Sequence, residues 1–189
     1  MFSNAMKPFH NKKTFFILLG GTIFMMGVMA ISGRPLNTTE TPYGILHLEF
    51  AGTKQELQNV LELWQINSSV NNDIIAAAKT NTWLDFLFLF FYTLFLFSCS
   101  KWLSGLVINK RISFILSFFA GASLIAGALD ILENVGMLCS LSGIVTQGIA
   151  SITSIASITK WVLVLIVIAV LLWGTAVLYF QQKKTKAMV

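Results

Sequence analysis

Residues 112–138 read ISFILSFFAGASLIAGALDILENVGML. No charge appears before Asp130, and Glu133 and Asn134 then follow within a turn of one another. An apolar run of about 20 residues is the length a helix needs to cross a bilayer. The stretch therefore reads as a membrane span with a polar cluster at one end. An ionised carboxylate facing hydrocarbon costs about 2.5–3.5 kcal/mol even on the lenient insertion scale. The cluster must then face the interior of a helix bundle or the water at the membrane surface.

The rest of the chain agrees with that solvent. Of its 189 residues 56% are hydrophobic and 11% charged, against about 25% charged in soluble domains. Three further apolar runs complete the set: 14–32, 83–104 and 159–181. The predicted fold is an all-α membrane protein, a four-transmembrane-helix bundle. The formal net charge of +5 does not point to nucleic acid, because the basic residues flank apolar runs instead of forming a face. Lys7, Lys12, Lys13, Lys101, Lys110, Arg111, Lys183, Lys184 and Lys186 lie in or beside segments 1–13, 105–111 and 182–189, which contain no acid. The positive-inside rule places those segments, and both termini, in the cytoplasm.

The N-terminus also admits a second reading. A basic tail, an apolar core and Val28-Met29-Ala30 match a cleaved signal peptide, although the apolar stretch is long for one. Ser3-Asn4-Ala5 before Met6 resembles a vector-derived leader, so residues 1–5 are given no functional role.

Segment 33–82 is the predicted extracytoplasmic loop. In YGILHLEF, Leu46, Leu48 and Phe50 alternate with Ile45, His47 and Glu49, the period of a short strand or extended segment. TKQE then reads as a capping box, with Thr53 and Glu56 opening an amphipathic helix over about 54–66. Its apolar face carries Leu57, Val60, Leu61 and Trp64, and such a helix lies on the membrane surface or over the bundle mouth. NNDIIAAAKTNTWLD lacks breakers and should run as helix into the second span. Residues 139–158 are rich in Ser, Thr, Ile and Ala, with isoleucines at 149, 152, 155 and 158. This segment either extends the fourth span or lies at the interface.

Depth counting gathers the polar residues. Asp85 lies about 24 Å from Lys101 and Asp130 about 28 Å from Arg111 along their helices, so both aspartates sit near the outer leaflet. Asp85 and Tyr92 share a face, with the phenol about 10 Å deeper. Ser123, Gly127, Asp130 and Asn134 share another, where small residues admit a close helix neighbour. Lys160, at the outer end of span four, can supply a counter-charge. His47 and Glu49 can descend onto the same mouth from the loop. The phenylalanines of span two (86, 88, 90, 91, 95 and 97) read as lipid-facing bulk.

Several chemistries are disfavoured. The chain holds no H-E-x-x-H, G-x-S-x-G, P-loop or G-x-G-x-x-G. His47 is the only imidazole on the outer side, so no metal site and no cofactor are assigned. Cys99 and Cys139 fall at opposite ends of their spans and cannot form an intramolecular disulfide. The sequons at 37–39 and 67–69 are triplets that arise often by chance.

The succession ILHLEFAGTKQELQNVLELW, LDFLFLFFY and ALDILEN resembles a group of uncharacterised bacterial four-span inner-membrane proteins, over about residues 43–180. The resemblance implies no activity, but it favours treating Glu49, Asp85, Asp130, Glu133 and Asn134 as one constellation. Three readings of it stand: a structural ion-paired cluster, a catalytic site, or a binding site. The leading functional expectation is a non-enzymatic membrane protein whose outer-leaflet acidic pocket binds a lipid headgroup, a cation or a partner subunit. The rival is a membrane-embedded hydrolase or transferase acting on lipid, with Asp130 or Glu133 as general base. Four spans without an inverted repeat give a transporter little support. A homo-oligomer stays open.

Overall fold

The computed structural model describes residues 12–69 and 73–187, with side chains over 13–69 and 73–183. The leader-like residues 1–5, His10 and the outer parts of both predicted tails lie outside the described residues. Six helices appear in chain order: α1 (Lys12–Ser32), α2 (Leu46–Glu49), α3 (Lys54–Asn67), α4 (Ile74–Leu106), α5 (Lys110–Leu141) and α6 (Gln147–Ala187), with a 3-10 turn at Arg34–Leu36. Among the described residues every regular element is helical. Four of them, α1, α4, α5 and α6, are long and apolar enough to cross a membrane. The chain is a multi-pass membrane protein by that measure.

Local chemistry fixes the helix boundaries. Asp73 caps α4 by accepting from the Ala76 N–H at 2.9 Å, and Asn109 caps α5 through the Arg111 and Ile112 N–H groups. At the start of α3, Thr53 accepts from the Glu56 N–H at 3.2 Å, and Glu56 accepts in return from Thr53 and Gly52. The capping box read from TKQE is therefore formed in full. α5 ends in a Schellman motif: Gly143 takes φ +93, Ile144 N–H donates to Cys139 O, and Gly143 N–H donates to Ser140 O. At 33 and 41 residues, α4 and α6 are about 50 and 62 Å long. Both exceed the roughly 30 Å hydrocarbon core.

One expectation changes. YGILHLEF is not extended: Ile45, Leu46 and their neighbours close the helical turn α2 through Leu48 N–H to Ile45 O and Phe50 N–H to Leu46 O. An isolated strand would leave its ladder groups unpaired, whereas one helical turn satisfies them locally and buries Leu48 and Glu49 together. For residues 139–158, the first of the two readings matches the helix from Gln147 on, which extends the fourth span. Gln147 already opens α6, which runs without a break past the predicted start of the fourth span.

Packing is layered. At the loop end, Trp64, Leu57, Leu36, Leu48, Ile74 and Met137 belong to one buried cluster, so the apolar face of α3 sits over the ends of α4, α5 and α6. Below it lies a polar layer. A second apolar cluster follows, with Leu89, Tyr92, Leu96, Ala122 and Val167. A third closes the far end around Leu103, Val107 and Leu116. Phe86, Phe88 and Phe95 pack against the second cluster, and Phe91 fills the space beside Gly21 of α1. The phenylalanines of span two are thus partly interior packing, because α5 and α1 cover much of α4. α1 packs on α4 through Phe15 against Phe95 and Trp102, and through Asn81, which donates to Met29 O and Ser32 Oγ.

Candidate functional site

The polar layer is built from four elements. Lys160 of α6 is only 7% exposed and reaches between two carboxylates of α5. Its Nζ lies 2.9 Å from Asp130 Oδ1 and 2.8 Å from Glu133 Oε2. Tyr92 of α4 donates its hydroxyl to the other Asp130 oxygen at 2.6 Å. Asp130 and Glu133, 2% and 0% exposed, are thus bound by an ammonium and a phenol. Burial of this kind is tolerable only because each charge has a partner.

Beside that closed unit stands a more open one. Asn134, fully buried, donates its amide to Asp85 Oδ2 at 2.7 Å. Asp85 is half-buried, and among the described residues no ion pair is formed by it. The Asn134 Oδ1 is buried and receives no hydrogen bond. An unpaired buried acceptor is costly and rare, so it marks a place where a donor fits.

Glu49 comes from the loop. α2 lowers it onto α6, where Ser157 Oγ and Trp161 Nε1 donate to Oε2 at 3.3 and 3.4 Å. It forms no direct ion pair with Lys160 but is close enough to act electrostatically on both Lys160 and Glu133. His47 does not join. Its ring stacks on Tyr43, 5.7 Å between centroids, and it lines a separate groove of about 490 Å³ with Phe50, Glu56 and Asn59. The helical turn that points Glu49 inward carries His47 to a different sector. The eight predicted residues therefore divide. Asp85, Tyr92, Asp130, Glu133, Asn134, Glu49 and Lys160 converge, and His47 stands apart.

The residues that hold Glu49 in place went unread in the sequence. Ser157 and Trp161 grip its carboxylate, while Ser154 donates to Phe50 O, Ser151 to Gly52 O, and Gln147 bonds Gly52 O and the Lys54 N–H. Positions 147, 151, 154, 157 and 161 recur at three and four residues, the spacing of one helix face. That polar stripe was the available signal, but the isoleucine stripe masked it. Ile152, Ile155 and Ile158 in fact point outward, and the small residues Ala150, Ala156 and Ser157 point inward. Close approach is real there: a Cβ on Gly136 of α5 would run into Thr153 of α6.

Among the described residues no group of three or more His, Cys, Asp or Glu side chains is arranged to hold a metal ion. The donor set suits hydrogen-bonded ammonium groups, of which Lys160 is one. No family model, curated protein or solved structure matches this chain.

Proposed function

We propose that this chain is a four-span protein of a bacterial cytoplasmic membrane, with both termini cytoplasmic and the α1–α4 connection outside. In this reading the amphipathic α3 caps the outer mouth of the bundle. The polar layer beneath it binds an ammonium group, carried by an aminophospholipid headgroup of the outer leaflet or by a free amine. The packing of α1 along α4 supports counting α1 among the spans.

One observation carries the proposal: the buried Asn134 Oδ1, bonded to no donor, sits beside the half-buried Asp85 carboxylate and a network already short of positive charge. Of the four carboxylates Asp130, Glu133, Glu49 and Asp85, only Asp130 and Glu133 are bonded by a cation, Lys160. Asp85 is the carboxylate of this group that reaches the surface. An ammonium has three donors and no acceptor, which matches a carboxylate oxygen and the unpaired Asn134 Oδ1. The lipid hydrolase reading draws less from the geometry. A general base must reach its substrate's proton, and Asp130 and Glu133 are both committed to Lys160.

The test is thermal unfolding of the purified chain in neutral detergent at constant ionic strength. Added phosphatidylethanolamine or free ethanolamine should raise the midpoint, since saturation at 100 times Kd stabilises by about 2.7 kcal/mol. A response to the lipid alone identifies the headgroup; a response to both identifies the amine. Asp85→Asn should abolish the shift. A wild-type midpoint indifferent to both additives sinks the proposal.

A further inference from the structure

At the end of the bundle opposite the loop, one cation has an unusual setting. Lys101 lies on α4 one and a half turns before the helix ends, half-buried. Its Nζ bonds Ser117 Oγ of α5 at 2.6 Å. The nearest acid along α4 is Asp85, about 24 Å away by helical rise, and Asp130 is about 20 Å from Ser117 along α5. All eight acidic residues of the chain lie at 40, 49, 56, 62, 73, 85, 130 and 133, toward the loop end. Lys101 sits near the helix end, where a lysine reaches the interface, and among the described residues its ammonium is answered only by a neutral hydroxyl, so its charge is left to meet an anion.

The surroundings show what kind of anion fits. Ser113 of α5 donates to Ser104 O of α4 at 2.7 Å. Together with the Lys101–Ser117 bond, this fixes the two helices antiparallel with Lys101 facing α5. Lys110, seven residues before Ser117, shares its side of α5. The Ser117 hydroxyl accepts from Lys101 and keeps a proton of its own to donate. Phe114 and Phe118 flank it at 71% and 64% exposure, and Trp102 is also exposed. Two ammonium groups and a hydroxyl donor thus sit against a bilayer-facing aromatic surface. That combination has the chemistry to take a phosphate with an acyl chain laid beside it.

We infer that the α4–α5 hairpin binds the phosphate of an anionic phospholipid, with Lys101 and Ser117 as direct contacts and Lys110 as the second cation. This rests on the membrane reading of the chain but not on the ammonium site, which lies at the other end of both helices. Anionic lipid is selected because segments 1–13, 105–111 and 182–189 hold no Asp or Glu to pair with a zwitterionic headgroup's ammonium. Exposed aromatic residues commit the site to lipid over free phosphate.

Native mass spectrometry of the full chain, released from neutral detergent with defined lipid, tests it. Wild type should retain phosphatidylglycerol at least fivefold more than phosphatidylcholine, and millimolar inorganic phosphate should not displace it. Lys101→Gln should cut retention about tenfold and Lys101→Arg should preserve it. Should Lys101→Gln fail to fold, Ser117→Val and Lys110→Gln supply the same reading, each lowering retention severalfold. Asp85→Asn should leave it unchanged, which separates this site from the ammonium site. Equal retention of both lipids, displacement by inorganic phosphate, or wild-type retention in Ser117→Val and Lys110→Gln would overturn the inference.

Discussion

Lys160 is the residue on which the polar layer turns. It bridges Asp130 and Glu133, and both carboxylates are buried too deeply for water to replace it. Lys160→Met should cost about 3–5 kcal/mol, because removing one partner leaves the other charges uncompensated. Adding Asp130→Asn and Glu133→Gln to that variant should recover most of the loss, since neutral groups of the same shape need no counter-charge. Chemical denaturation of the two variants in detergent micelles checks this. If the triple variant is no more stable than Lys160→Met, the ion-pair account of the layer is wrong. Depth counting from Lys101 and Arg111 was enough to place Asp85 and Asp130 level with one another. It could not say that Tyr92 would bond Asp130 instead of Asp85 on its own helix face, because that depends on how α4 is rotated against α5.

At the scale of elements, α3 and α6 show how local signals and tertiary contacts divide the work. The capping box of α3 is a property of four adjacent residues and forms as TKQE predicts. Thr53→Ala should destabilise by about 1 kcal/mol, read from the shift in thermal unfolding. Glu56→Ala should cost at least as much, as it leaves both the Gly52 and Thr53 N–H groups unmet. α6 behaves differently. Its isoleucines have a helical period, yet the face they mark is the outer one. In a membrane bundle the apolar stripe faces lipid and the small polar stripe faces protein, the reverse of the soluble rule. α2 fails as a predicted strand for a related reason. Alternation over six residues does not distinguish a strand from a turn of helix seated on a bundle, and only a neighbouring strand would have decided it.

The whole molecule is a three-helix core of α4, α5 and α6, with α1 laid along α4 and the loop helices seated at one end. Charge is segregated along its axis, acids toward the loop end and most bases toward the other. The proposed orientation has a direct check. In a background lacking Cys99 and Cys139, Lys54→Cys should react with a membrane-impermeant maleimide on intact spheroplasts, and Lys183→Cys only after lysis; the opposite pattern inverts the topology. The amino-acid sequence by itself determined the helical class, four runs long and apolar enough to span, the α3 capping box and the shared depth of Asp85 and Asp130. These follow from composition, apolar run length, adjacent residues and helical rise, which are all local quantities. The tertiary structure alone decided which polar groups meet. It tied Lys160 to Asp130 and Glu133, joined Asn134 to Asp85, brought Glu49 in and left His47 out. Those pairings depend on how each helix is rotated about its axis and where a single turn at Leu46–Glu49 is seated. Both are set by packing between segments as far apart in the chain as Glu49 and Ser157, and no local pattern encodes that.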